Sequence, residues 1–329
     1  PLTVRTIGML CDRHTGIGSD GILLRCPPTG AVPEAVARMR IFNPDGSEPE
    51  MCGNGIRQFA RYLRSRELVT DDEFVVETLA GPIRPSLPAD GRVRVDMGVA
   101  RFMSPAVNSA LLGLHADREV VSVPFKFAEN LEPFTFTFVD VGNPHCIIPV
   151  ADPEQTPLET LGPLIENHAL FPKRVNVEFI AVLPDGAVRM RVWERGVGET
   201  RACGTGATAV GAAAIRLGLA SDPVVVRLNG GDLEIEMAGE GRVVMTGPAG
   251  EVFVGTVAQD LRDRLPRRRG PADVQRGRGR QLGAGAGRDA RGRHLRRPHD
   301  GVRLRGRPRG RPAVPRLHRG LVLRRAARQ

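Results

Sequence analysis

Two stretches of this chain repeat one pattern at a fixed spacing. Arg38-Met39-Arg40-Ile41-Phe42 runs in register to Cys52-Gly53-Asn54-Gly55. The same layout recurs 151 positions later (residue 38 to 189, residue 52 to 203), where Arg189-Met190-Arg191-Val192-Trp193 leads to Cys203-Gly204-Thr205-Gly206. Each copy is a short apolar run, a turn-rich segment, Cys-Gly-x-Gly and then a helical stretch. A chain built this way folds as two pseudo-symmetric halves that each bring one cysteine to a shared centre. Two acid/base groups facing one atom from opposite sides are what inversion of a stereocentre needs.

The pattern along the chain places these motifs on elements. Alternation over 38–42, 74–78, 83–87 and 93–97 predicts strands, and Ile56, Phe59, Ala60 and Leu63 mark one face of a helix. After a linker near 99–110, strands are predicted at 134–141, 146–150, 175–182, 188–193, 224–228, 233–237 and 242–245. Helices fall at 162–169 and 207–219. The last is small or apolar on every side, so it must be surrounded. The predicted class is α/β (α+β), each half a curved, mostly antiparallel sheet or barrel wrapped round a central helix, with the site in the cleft between them. Residues 1–103 form the N-terminal half, completed by a closing strand at 250–256, and 104–249 form the C-terminal half.

Charge divides unevenly. The whole chain carries a net charge of +10, yet residues 257–329 hold 23 Arg and 5 Asp, a net of +18, leaving the body at −8. That tail uses only nine residue types, all of which can be encoded by codons beginning in C or G. In a GC-rich gene, reading the wobble base as the first codon position would produce this alphabet. The segment is therefore read as a disordered, out-of-frame tail beginning at or just after Thr256. An Arg-rich nucleic-acid-binding protein is the competing reading, and it rests on the tail alone. Binding there would be non-specific, through the charge.

The body shows no membrane-length apolar run and no secretory signal pattern. Its five cysteines (11, 26, 52, 146 and 203) show neither disulfide-framework nor zinc-type spacing. Free thiols favour a cytoplasmic setting. Cys11, Cys26 and Cys146 read as buried hydrophobes. Cys52 and Cys203 stand apart, since each opens a helix beside glycines. Free N–H groups at a helix N-terminus favour negative charge, would hold an α-carboxylate and stabilise its carbanion, and would lower a cysteine pKa. Such a site needs no pyridoxal phosphate, other cofactor or metal. Arg57, Arg61, Arg64 and Tyr62 read as surface or packing residues.

These motifs, with Arg13-His14-x-Gly16-Ile17-Gly18, Phe42-Asn43-x-Asp45-Gly46-Ser47, Gly142-Asn143-Pro144-His145, Asn176 and the run from Glu194 to Gly206, closely resemble the diaminopimelate epimerase family. That family belongs to the cofactor-independent two-cysteine racemases. The resemblance covers most of residues 8–256. It implies an isomerase that converts LL-2,6-diaminopimelate to the meso isomer for lysine and peptidoglycan synthesis, working as a cytoplasmic homodimer. It implies Cys52 and Cys203 as the acid/base pair, and backbone N–H groups of Gly53, Asn54, Gly204 and Thr205 as the carboxylate cradle. Asn43, Asn143, Asn176 and Arg195 would bind the distal end of the substrate, Glu194 the reacting end, and His145 would assist Cys52. The family's opening strand, with its His-Gly-Leu-Gly-Asn-Asp-Phe turn, is absent here, which removes a symmetry partner of Asn143 and should cost activity more than fold. Proline and hydroxyproline racemases are the alternative within the superfamily. They typically carry His at the position of Asn54 and lack the Asn/Arg distal clamp.

Overall fold

A computed structural model describes residues 2–103, 105–264 and 321–324. The chain opens with α1 (Val4–Cys11), β1 (Gly21–Cys26), β2 (Ala35–Phe42) and α2 (Gly53–Ser65). Short strands follow: β3 (Val75–Thr78), β4 (Gly81–Ile83), β5 (Pro85–Ser86) and β6 (Val93–Val99). The second set is β7 (Val123–Phe125), β8 (Phe134–Asp140), β9 (Pro144–Pro149), α3 (Leu158–Glu166), β10 (Asn176–Val182), β11 (Val188–Glu194) and β12 (Gly198–Thr200). Then come α4 (Gly204–Arg216), β13 (Val224–Leu228), β14 (Gly231–Ala238), β15 (Arg242–Gly247), α5 (Gln259–Arg264) and β16 (Leu321–Arg324).

Two sheets organise these strands. The smaller runs β16-β1-β2-β3-β4, and the larger runs β5-β6-β15-β14-β13-β11-β10-β9-β8-β7 with β12 beside β11. Pairing is antiparallel except at β2–β3, β9–β10 and β11–β13. The large sheet curls round α4, which touches β8, β9, β10, β11, β13, β14 and β15. Ala207, Ala209, Val210, Ala212, Ala213 and Ala214 are wholly buried as a result. Small residues are required there: a methyl group on Gly211 would sit 2.5 Å from the Ile235 side chain.

The second central helix, α2, lies between the sheets, touching β2 on one side and β5 and β6 on the other. Its apolar face, Ile56, Phe59, Ala60 and Leu63, is buried as its spacing predicts. Each large side chain so buried contributes about 1.5–3 kcal/mol. The halves are therefore less separate than the sequence suggests, because β5 and β6 come from the first 103 residues yet join the large sheet. The alternating Val93, Val95 and Met97 supply a buried face. On the outer face Arg94 reaches Glu236 at 2.8 Å, tying β6 across to β14.

The closing strand expected at 250–256 is not present. That segment has no regular structure, and Val252, Phe253 and Val254 are exposed. The outer edge of β1 pairs instead with β16, from Gly21 opposite Arg324 to Leu24 opposite Leu321. A strand edge carries backbone donors and acceptors that need partners, and the tail supplies them here. Val257 and Leu261 also pack on the small cluster of Ile7, Leu10, Cys11, Ile22 and Phe42. Within the tail expected to be disordered, Gln259–Arg264 and Leu321–Arg324 are instead regular elements. The rest of the expected disordered tail, 265–320 and 325–329, lies outside the described residues.

Candidate active site

Cys52 and Cys203 occupy the same local position in their copies. Each is the N-cap of its helix, with extended backbone (φ −147°, ψ 112° and φ −126°, ψ 108°). Each sulfur accepts a hydrogen bond from the N–H three residues on, Gly55 and Gly206, at 3.3 Å in both cases. The thiol thus takes the place usually held by a Ser or Asp oxygen at a helix start. Neither first-turn sequence contains an acidic residue. The remaining N–H groups of both helix starts are free to face an anion.

The two starts meet backbone to backbone. A methyl group on Gly53 would lie 3.1 Å from Gly204 Cα, and one on Gly204 would lie 3.3 Å from the Asn54 nitrogen. Asn54 Nδ2 adds a bond across the junction, donating to the Ala202 carbonyl at 3.0 Å. Cys52 is half-buried and Cys203 buried.

A chain of polar contacts leads away from Cys203. Thr205 Oγ1 lies 3.6 Å from the Cys203 sulfur and accepts from Asn143 Nδ2 at 3.3 Å. Asn143 Oδ1 accepts from His145 Nε2 at 3.0 Å, and His145 Nδ1 lies 2.6 Å from Glu178 Oε1. Both side chains of the last pair are fully buried. A proton must lie between them, on Nδ1 with Glu178 ionised or on Glu178 with Nδ1 accepting. Both ring nitrogens of His145 are engaged, by Asn143 and Glu178.

Electrostatics depart from the expectation of a depressed thiol pKa at Cys203. Burial pushes it well above the ordinary thiol value, and the carboxylates of Glu194 and Glu178 push further. Desolvation and two neighbouring carboxylates outweigh the helix-terminal donors. Glu178 is itself raised by burial, against the opposing pull of His145. Glu194 accepts a close hydrogen bond from Thr200 Oγ1.

The residues expected at the distal end of the substrate fall into two groups. Asn176 Nδ2 donates to the Pro144 carbonyl at 2.9 Å while its Oδ1 accepts from the Arg195 N–H at 2.9 Å. The parallel register of β9 and β10 sets Asn176 opposite His145, so Asn176 and the polar chain share one neighbourhood. Arg195 Nη1 donates to the Lys173 carbonyl at 3.0 Å. Asn43 sits in the turn after β2, with Nδ2 donating to Ser47 Oγ at 3.0 Å.

Sequence reasoning missed two buried groups. Glu178 is one; a lone carboxylate within the apolar run Val175–Ile180 was the available signal. Arg57, expected at the surface or in packing, is the other. It is only 7 % exposed and lies directly behind the α2 N-terminus. Among the described residues, no group of three or more His, Cys, Asp and Glu could hold a metal, and no helix is long and apolar enough to cross a membrane.

The family model of diaminopimelate epimerase matches residues 1–103 and 137–252, two segments that contain both N-capping cysteines. The chain belongs to the diaminopimelate epimerase family. It is 49% identical over 250 residues to the diaminopimelate epimerase of Acaryochloris marina, covering 75% of this chain and 86% of that protein. It is 48% identical over 256 residues to that of Moorella thermoacetica, covering 76% and 88%. Outside the diaminopimelate epimerases, its fold is similar to a hydroxyproline epimerase from Agrobacterium vitis, with a TM-score of 0.52 at 20% identity over 74% of this chain and 77% of that one. That likeness is one of fold alone.

Proposed function

We propose that this chain epimerises LL-2,6-diaminopimelate to the meso isomer with two thiols and no cofactor. The carrying observation is the pair of helix-capping cysteines whose following glycines touch. In the proposed reaction one sulfur, as thiolate, takes the α-proton. The opposite thiol gives its proton to the other face of the same carbon. The proton count balances, and the thiolate ends on the opposite side. The carbanion's charge spreads into the α-carboxylate, which the N–H groups of Gly53, Asn54, Gly204 and Thr205 would stabilise through the two helix starts. Glu194 would stand at the reacting end, while Asn43, Asn143, Asn176 and Arg195 would hold the distal amino-acid group. A guanidinium and amide side chains suit a carboxylate there. His145, fixed by Glu178, would orient Asn143.

The diaminopimelate assignment draws on relatives at 48–49% identity that match most of their length. The proposal extends, as the family resemblance implies, to roles in lysine and peptidoglycan synthesis and to a homodimeric assembly. Five free thiols among the described residues fit a cytoplasmic, reducing compartment. Incubation with LL-diaminopimelate, proline or hydroxyproline, followed by chiral chromatography, tests the substrate. Only diaminopimelate should change configuration; turnover of proline instead would replace this reading with the racemase one.

A further inference from the structure

We propose that Arg57 is a positioning residue for this reaction. It locks the α2 N-terminus against the second half and places a positive charge beside Cys52. This role rests on the two-thiol reading of the site.

Four contacts define its place. Nη1 donates to the Gly53 carbonyl and toward Met245 Sδ, each at 3.3 Å. Nη2 donates to Asn54 Oδ1 at 3.0 Å, and Nε to the Pro248 carbonyl at 3.3 Å. Every one of these partners is neutral. A buried cation is costly unless paired, and burial lowers the Arg57 pKa to about 10. The molecule therefore keeps an expensive charge against the residue that follows the first thiol, and keeps space for it. A methyl group on Gly247 would stand 3.2 Å from Arg57 Nε.

The contacts also fix orientation. Because Arg57 occupies Oδ1 of Asn54, the amide must turn Nδ2 outward, where it meets the Ala202 carbonyl of the second copy. The Gly53 carbonyl, held by the same guanidinium, belongs to the residue that touches Gly204. One side chain thus sets both bridging residues of the junction. The second copy has no basic equivalent, since Thr208 stands 151 positions after Arg57 and donates instead to the Gly204 carbonyl at 2.8 Å. The two sites differ in charge: Arg57 lies behind Cys52, whereas Glu178 and Glu194 act on Cys203.

The full chain carrying Arg57→Met, Arg57→Gln or Arg57→Lys would be treated with iodoacetamide, with each cysteine followed by mass spectrometry. Alkylation follows the thiolate, so Arg57→Met and Arg57→Gln should slow Cys52 by about tenfold and leave Cys26 unchanged. Arg57→Lys should recover most of that rate. In the epimerase assay the neutral variants should lose kcat by about tenfold or more with KM changed less than about threefold. Arg57→Lys should regain kcat only in part, because it lacks the planar fork. Folded neutral variants with normal Cys52 alkylation and normal kcat would overturn the proposal, and Arg57→Gln covers the case in which Arg57→Met fails to fold. A change in Cys52 alkylation in a protein without epimerase activity would sink the functional reading while leaving the charge effect of Arg57 standing.

Discussion

Gly53 and Gly204 face each other so closely that a methyl group on either would stand 3.0–3.1 Å from the other's Cα. The neighbour in each case is backbone and cannot move aside cheaply. Gly53→Ala or Gly204→Ala should spread the helix starts and misplace the two sulfurs by a fraction of an ångström or more. A loss of about a hundredfold in kcat/KM is expected for either variant, because misplacement near 1 Å costs that much. Gly250→Ala, where an added methyl meets nothing within 4 Å, is the control and should keep full activity. Steady-state kinetics on the three variants decide it.

Much of this junction was legible in the sequence because it depends on local patterns. The repeated Cys-Gly-x-Gly register places both cysteines at helix N-caps, and the apolar surface of 207–219 demands a surrounding sheet. The partner of Glu178 was not legible, since His145 is reached only when β9 and β10 pair in parallel across an intervening helix. Arg57 shares a helix face with Gly53 and Ala60, but its burial comes from β15 and Pro248, almost 190 positions away. The transfer of β5 and β6 to the large sheet, and the pairing of β1 with β16 rather than with 251–256, are likewise choices made by tertiary contact. Strand propensity carries no address for a partner.

Glu178 gives a pH signature of stability. Its folded-state pKa lies above the ordinary 4.5, so the folded protein binds more protons than the unfolded chain just above that value. Stability from this group is therefore greatest at acid pH and falls as pH rises from about 4.5 toward the raised folded value. Glu178→Gln should remove that slope. Denaturant melts across this range, compared between the two proteins, should show the wild type losing ground to the variant as pH rises; parallel curves would contradict it.

Burial is the larger cause of the raised Cys203 pKa, and Glu194 the next. Glu194→Gln should therefore speed alkylation of Cys203, but only modestly, by about twofold to fivefold. Cys203 should remain slower than half-buried Cys52 in both proteins. Site-resolved alkylation rates at one pH test this, and a Glu194→Gln protein in which Cys203 overtakes Cys52 would show that charge, rather than burial, dominates.

Two thiols acting on one carbon leave an isotopic record. In heavy water, conversion of LL-diaminopimelate should install solvent deuterium at a single α-carbon without added pyridoxal phosphate, since the incoming proton comes from the opposite sulfur. Mass spectrometry and proton NMR of the product read this directly. Cys52→Ala and Cys203→Ala should each abolish epimerisation. Full activity in either variant, or a requirement for pyridoxal phosphate, would contradict the shared two-thiol site.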